Sequence, residues 1–556
     1  MNARRAVAAA CLVLGAAVPL AGAAGKAAQG ASSDASVGVG QSIYLRGVLG
    51  SGAALRAIRA AGDLSTKGAD AACVNCHQRS GLGATEGRNL IPPITGRYLF
   101  NVPAKGTEAP DLPYVEGMRV NRTPYTEATL ARAIRDGVDS NGRTLSYLMP
   151  RFPIEDADMA ALIGYLKSMG PHRVPGVTDS VLHFATVITP DADPVKRAGM
   201  LDVMQKYFDE RNSRQRQPTA PMQPSGRTMY SKMMFKVNRR WQLHVWDLTG
   251  PASTWRAQLA RRMADEPVLA IVSGLGASDW APVHQFCEDE AVPCLFPNVE
   301  VPVDAGPGFY SLYFSKGVLL EADLIAGRIA DGGAPAPKSV HQVYRAGDSG
   351  AAAASELAST LKAHGIAAHS HVIAAGADSS AVLAALAQAG DPDALVLWLR
   401  PADIAQLGAA PPAHAAVFMS GLMAGLERAP LIDAWRSRTD LAYPFDLPDR
   451  RRIRVDYPLG WFHIRQIPVV AEQVQADTYL ACGLLSETEN RIVDAFIRPY
   501  LIERLQAMIE HRVITGYYPH LTLATNQHFA SKGGYLVRFA AATGTRVIPD
   551  GDWSVP

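Results

Sequence analysis

The pentapeptide Cys73-Val74-Asn75-Cys76-His77 constrains this chain more than any other feature. It sets two thiols about one helical turn apart, with an imidazole directly behind them. That spacing lets both sulfurs add to the two vinyl groups of one haem while His77 reaches the iron from the same side. A dithiol or zinc Cys-x-x-Cys has no need of the histidine. The stretch is read as the attachment site of one covalent haem c, with Cys73, Cys76 and His77 as cofactor-binding residues and His77 as an iron ligand.

The N-terminus agrees, because c-type haem is attached outside the cytoplasm. Arg4 and Arg5 precede an apolar run from Ala6 to Leu20, and Ala21-Gly22-Ala23 supplies small residues for cleavage. Residues 1–24 read as a secretory signal peptide and residues 25–39, rich in Ala, Gly and Ser, as a flexible leader. No later stretch reaches the ~18 apolar residues of a membrane span, so a periplasmic mature chain with no membrane span is expected. The formal charge is +2, and Arg4 and Arg5 account for it. Nothing in the charge pattern points to nucleic acid.

Six cysteines are present. With Cys11 in the signal peptide and two taken by haem, Cys287, Cys294 and Cys482 remain. In an oxidising compartment Cys287 and Cys294 are the natural disulfide pair, close in sequence across a predicted helix-to-strand turn. The alternative is that all three are small buried hydrophobes.

The sixth iron ligand has several candidates. Met118, Met149, Met159 and Met169 all follow the pentapeptide. Met149 is favoured because Pro150 behind it holds an irregular loop open and fixes the sulfur's approach. A thioether there closes the iron and raises its potential. Met159 and Met169 fall in or beside the amphipathic run Ala157–Ser168, where core packing is the simpler role. Met118 remains the other option.

Residues 40–171 resemble a class I cytochrome c domain, which implies an all-α fold. Gly40 to Gly47 resembles the start of the family's N-terminal helix, and Ile154 to Met169 its C-terminal helix. Ile91-Pro92-Pro93-Ile94-Thr95-Gly96 is similar to the family's Pro-Pro-Leu-x-Gly segment. There a proline carbonyl, assigned to Pro93, accepts the proximal histidine N–H. The extra stretch Ser51–Asp70 departs from the family and is expected to fold over a haem edge.

Residues 172–179 read as a linker. From 180 to 556 apolar β-type runs alternate with amphipathic helical runs. Strands are expected over Val181–Ile188, Trp241–Leu248, Val268–Ser273, Val340–Tyr344, Ala394–Leu399 and Ala415–Met419. Helices are expected over Pro194–Arg211, Ala252–Asp265, Trp280–Glu290, Val318–Ala330, Ala351–His364 and Ser379–Ala389. Such alternation implies parallel sheet covered on both faces. Ser213–Arg240 lacks a period and reads as a loop insertion.

The order of these elements resembles the type I periplasmic binding proteins, the solute-binding subunits of ABC transporters. The resemblance implies two α/β lobes closing on a ligand. It places that ligand near Ser273, Ser278, Asp279, Glu300 and Ser349, where helix N-termini and hydroxyls can hold a carboxylate. Ser278 or Asp279 would serve equally as a helix cap. Glu300 departs from the family, because a carboxylate there repels a ligand carboxylate.

The expected function is single-electron transfer through a His77/Met149 haem, coupled to a solute-binding-like domain for ligand sensing or partner docking. A periplasmic dehydrogenase of quinoprotein type is the expected redox partner class. An ABC-type solute receptor with a cytochrome appendage and a haem enzyme subunit are the alternatives. No hydrolase elbow, zinc-protease helix or phosphate loop is found, and no catalytic residue is assigned.

Overall fold

The computed structural model describes residues 36–59, 64–86, 89–100, 122–170, 174–215, 239–277, 279–304, 308–331, 339–492, 496–541 and 543–556, with Gly306. The expected signal peptide, most of the expected leader, Met118, Ser278 and most of the insertion read at Ser213–Arg240 lie outside the described residues. The chain forms two compact units, one ending at Gly170 and one running from Pro171 to Pro556.

The first unit is built on helices through residues 36–46, Glu127–Asp136 and Asp156–Ser168. Their apolar faces meet in one core that includes Ile43, Tyr44, Leu130, Ile134, Met159, Leu162 and Leu166. Met159 is buried there as expected of a packing residue. The unit is not purely helical. Strands β1 (Arg56–Ile58) and β2 (Ser65–Lys67) form an antiparallel pair, as do β3 (Ala84–Glu86) and β4 (Asn89–Ile91).

One local pattern occurs twice. Gly47-Val48 and Gly137-Val138 each follow a helix, and each opens a turn closed by a bridge, Val48 to Ala54 and Val138 to Thr144. Leu55 N–H donates to Gly47 O at 2.7 Å, and Leu145 N–H to Gly137 O at 2.8 Å. The second copy leads into the loop of Met149. The first leads into β1, inside the stretch Ser51–Asp70. That stretch pairs with the Met149 loop: Ile58 and Arg151 exchange backbone hydrogen bonds of 2.9 and 2.8 Å.

The second unit contains two sheets. In the first, β5 (Val181–Ile188), β6 (Arg240–Asp247), β7 (Ala270–Val272), β9 (Cys294–Leu295) and β11 (Ser311–Leu312) lie side by side in the order β6-β5-β7-β9-β11, all parallel. Short strands β8 (Leu275–Gly276) and β10 (Asn298–Val299) extend it beyond the end of β5. In the second sheet, β12 (Val340–Arg345), β13 (Ala368–Ile373), β14 (Ala394–Trp398), β15 (Ala416–Ser420) and β16 (Thr439–Tyr443) run in the order β13-β12-β14-β15-β16. Antiparallel β17 (Tyr535–Phe539) and β18 (Val547–Pro549) complete its edge.

Both sheets thus have parallel strands in the order 2-1-3-4-5. The runs read as strands and helices in the sequence fold as such within a few residues. Continuous apolar strands are buried on both faces by helices, with Trp246, Trp255 and Trp280 in one core and Trp398 and Phe418 in the other. The chain passes from one sheet to the other between β11 and β12, after β16, and again before β17. Helices Pro448–Ile464 and Glu472–Glu489, not anticipated from the sequence, pack against the first lobe through Val203, Phe462 and Tyr479.

Cys287 and Cys294 are both buried and both free thiols, within hydrogen-bonding reach of one another. The expected disulfide is not formed. They pack as small apolar residues among Phe286, Val292 and Tyr313. Cys482 is likewise a buried free thiol.

Candidate functional site

In the first unit, Val74–His77 make a single helical turn that begins at Cys73. Cys73 is partly exposed and Cys76 exposed, while His77 points inward and is 6 % exposed. His77 Nδ1 lies 3.0 Å from Pro92 O. A carbonyl can only accept, so Nδ1 carries the proton and Nε2 keeps its lone pair. Burial pulls the imidazole below its ordinary range, which keeps the ring neutral as a metal ligand must be. The carbonyl against His77 is therefore that of Pro92, not Pro93. Pro93 is buried one residue on. Two adjacent prolines give the sequence no way to say whose carbonyl turns inward.

The loop around this contact is close-packed. Gly83 N–H donates to His77 O at 3.2 Å, and Gly83 has φ +71°. A Cβ there would stand 2.0 Å from Ile91 O and 2.9 Å from Pro92 O. Gly83→Ala is expected to push this backbone away from His77 and to cost roughly 1–3 kcal/mol. Thermal unfolding and haem content per chain measure both effects.

Met149 is partly buried against the core of the unit. Its N–H donates to Ser146 O at 3.0 Å, and its carbonyl accepts from Arg151 Nη1 at 2.8 Å. Its loop is thus held at the main chain. Met169 is placed differently: a Cβ on Gly81 would meet its Cε at 2.6 Å, so it fills space beside the loop that follows His77. Thr95, 1 % exposed, keeps its Oγ1 without a partner among the described residues. One buried neutral histidine, two thiols a turn apart and an orphaned hydroxyl nearby fit haem c. Cys73 and Cys76 would hold it by thioethers and His77 would ligate it. Haem supplies a one-electron couple when bound.

In the second unit, a cleft of about 370 Å³ opens where the carboxyl ends of strands from both sheets face one another. Open α/β sheets bind ligands at that end, where strand order reverses. Glu300 follows β10, Arg400 follows β14, and Asp348 follows β12. Arg400 reaches Glu300 Oε1 at 3.0 Å and Oε2 at 2.5 Å, and Asp348 at 2.9 and 2.6 Å. Lys196 Nζ lies 3.3 Å from Glu300, and Ser349 Oγ donates to Glu300 at 2.8 Å. Burial pushes Glu300 up, but Arg400, Lys196 and Ser349 together pull it down to about 2. Its charge is consumed within the protein, so repulsion of a ligand carboxylate is weaker than its sequence position suggests.

The other expected ligand residues are placed as follows. Ser273 is fully buried at φ +50°, and its Oγ meets Thr478 Oγ1 at 2.8 Å and accepts from Asn298 Nδ2 at 2.9 Å. Asp279 accepts from Ala281 N–H at 3.0 Å just ahead of helix Ala281–Asp289, whose N-cap position is Trp280. The small-residue turn before it serves packing: a Cβ on Gly274 would meet Trp280 Cη2 at 2.5 Å. Glu300 lines the cleft, and Ser349 stands behind it.

Sequence reasoning missed Asp477. It comes from helix Glu472–Glu489, lines the cleft, and is 3 % exposed. Burial pushes its carboxyl up to about 7, against partial relief from Tyr518 and Gln473. No local pattern marks it, because its partner Tyr518 stands 41 residues further on, in irregular chain after a turn.

Residues 66–170 match the cytochrome c family model. No curated protein matches the chain. Among solved structures, a fatty acid ABC transporter substrate-binding protein from Thermomonospora curvata is similar at 16% identity and TM-score 0.49, over 70% of this chain and 96% of that one. A leucine-binding protein from Thermotoga maritima is similar at 12% identity and TM-score 0.46, over 66% and 98%. A branched-chain amino acid ABC transporter protein from Thermus thermophilus with bound valine is similar at 13% identity and TM-score 0.46, over 68% and 97%. Residues 66–170 are a cytochrome c domain, which implies covalent haem c, and the unit that follows has two sheets whose parallel strands run in the order 2-1-3-4-5.

Proposed function

We propose that this chain is an exported, periplasmic cytochrome that carries one haem and passes single electrons through an iron held by His77 and Met149. The observation that supports it most is the Pro92 carbonyl 3.0 Å from His77 Nδ1. That hydrogen bond orients the ring, fixes its tautomer and raises the basicity of Nε2. The tethered Met149 loop would supply a thioether as the second iron ligand, which suits electron transfer better than substrate turnover. The second unit, with its polar cleft between two lobes, recognises a solute or docks a partner, and a periplasmic dehydrogenase of quinoprotein type is the electron donor. No described helix is long and apolar enough to cross a membrane. The division proposed is a signal peptide over 1–24, a leader over 25–39, the cytochrome over 40–171, a linker over 172–179 and the binding unit over 180–556.

The purified chain is expected to contain one haem by pyridine haemochrome assay and to titrate as one reversible one-electron couple. Absence of a reversible couple would sink the reading.

A further inference from the structure

The cleft of the second unit carries a charge arrangement that its sequence does not reveal. Its two described cations are engaged: Arg400 with Glu300 and Asp348, and Lys196 with Glu300. The hydroxyl of Ser273 is committed to Thr478 and Asn298. A ligand carboxylate therefore finds little to pair with. Asp477 is in the opposite position. Its Oδ2 accepts from Tyr518 OH at 3.1 Å and from Gln473 Nε2 at 3.2 Å, while its Oδ1 is buried with no partner among the described residues. A buried carboxylate oxygen without a donor costs free energy that a ligand can recover.

Aromatic rings adjoin it. Tyr518 packs on Phe314 with ring centroids 5.3 Å apart and on Phe445 at 5.5 Å, and all three line the cleft. Ring faces beside a carboxylate favour an organic cation, through electrostatic attraction to the rings and burial of the carbon skeleton. Asp191 and Asp193 add negative charge at the cleft wall.

We propose that this cleft binds a small primary ammonium compound with an apolar or aromatic body, its N–H donating to Asp477 Oδ1 and its body lying against Phe314, Phe445 and Tyr518. The inference rests on the solute-binding reading of the second unit. The volume of about 370 Å³ suits a ligand of this size. An ammonium group would hold Asp477 ionised, so its binding releases a proton from that carboxyl.

The test is isothermal titration of the full, haem-loaded chain with phenethylammonium chloride, 2-phenylethanol and sodium phenylacetate, each at pH 8. Saturable binding is expected with the ammonium compound alone. In Asp477→Asn, which preserves shape, the affinity is expected to fall at least 10-fold, with folding checked by circular dichroism. The three-probe comparison on the unmodified protein stands even if the variant does not fold. Equal or tighter binding of the alcohol or the carboxylate overturns the ammonium assignment and leaves the solute-binding reading in place. Unchanged affinity in a folded Asp477→Asn overturns the assignment of Asp477. No saturable heat with any probe overturns the ammonium proposal and leaves the wider solute-binding reading standing, whereas the redox couple, recorded on the same sample, reports on the cytochrome alone.

Discussion

Met149→Ala is expected to convert a ferrous protein inert to carbon monoxide into one that binds it almost completely. The visible spectrum should change from low-spin to high-spin on substitution, before the gas is added. The reason is that His77 is untouched: its Pro92 hydrogen bond and its place at the end of the Cys73–His77 turn do not involve the Met149 loop. On the proposed His77/Met149 ligation, only the thioether ligand is lost. The midpoint potential should fall as well, because a thioether ligand stabilises the ferrous state. Met159→Ala and Met169→Ala serve as controls. Met159 is 3 % exposed in the core, so its truncation should cost roughly 2–5 kcal/mol and leave the spectrum low-spin. Met169→Ala should also stay low-spin. A Met149→Ala protein that remains inert to carbon monoxide would assign the ligand elsewhere, with Met118 the first residue to replace.

Glu321→Gln is expected to stabilise the second unit at high pH and to change it little at pH 5. Glu321 is fully buried on helix Val318–Asp331, and burial pushes its carboxyl up to about 8. Hydrogen bonds with Ser420 Oγ and from Leu422 N–H, the latter 2.8 Å, offset burial only partly. A carboxyl raised on folding is protonated in the native state while the unfolded chain releases the proton. Stability from this group is therefore full below the ordinary carboxylate range and is lost as pH rises to about 8. The loss is on the order of 5 kcal/mol. Glutamine keeps both contacts, with its amide donating to Ser420 and its oxygen accepting from Leu422, and it does not titrate. Asp477 and Glu489, both raised to about 7 by burial, add losses of the same sign, so the wild-type chain should be less stable at pH 9 than at pH 5. Guanidinium unfolding at pH 5, 7 and 9 measures the difference. If the variant and wild type keep a constant gap across that range, Glu321 ionises freely in the native state.

Glu321 also lies beneath the cleft, since Leu422, whose N–H it accepts, lines the cavity. Below about pH 8 burial favours its neutral form, which limits negative charge beside the cleft. Asp477 is then the buried carboxylate best placed to meet a cation.

Much of this was legible in the chain itself. The pentapeptide states its chemistry through spacing alone. Strand Val181–Ile188 and helix Val318–Asp331 fall where apolar runs and amphipathic periods place them, because backbone periodicity is a local property. The twofold Gly-Val turn at Gly47 and Gly137 is equally present in the sequence, but its matching residues are too few to mark it. Helix Pro448–Ile464 carries an internal Pro458, which obscures its period.

What tertiary structure alone decided is which groups meet. Arg400 and Glu300 stand 100 residues apart in the chain, and Asp477 and Tyr518 are 41 apart. Their meeting depends on the chain crossing between lobes, which no local period encodes. The choice of Pro92 over Pro93 turned on one carbonyl's direction. The commitment of Ser273 to Thr478 turned on a helix from far along the chain packing behind the first sheet. The sequence by itself determined covalent chemistry at the haem turn and the alternation of strand and helix, since both are fixed by neighbours a turn or a pleat away. The tertiary structure decided which charges are spent and which remain, since electrostatic pairing follows distance in space, not in the chain.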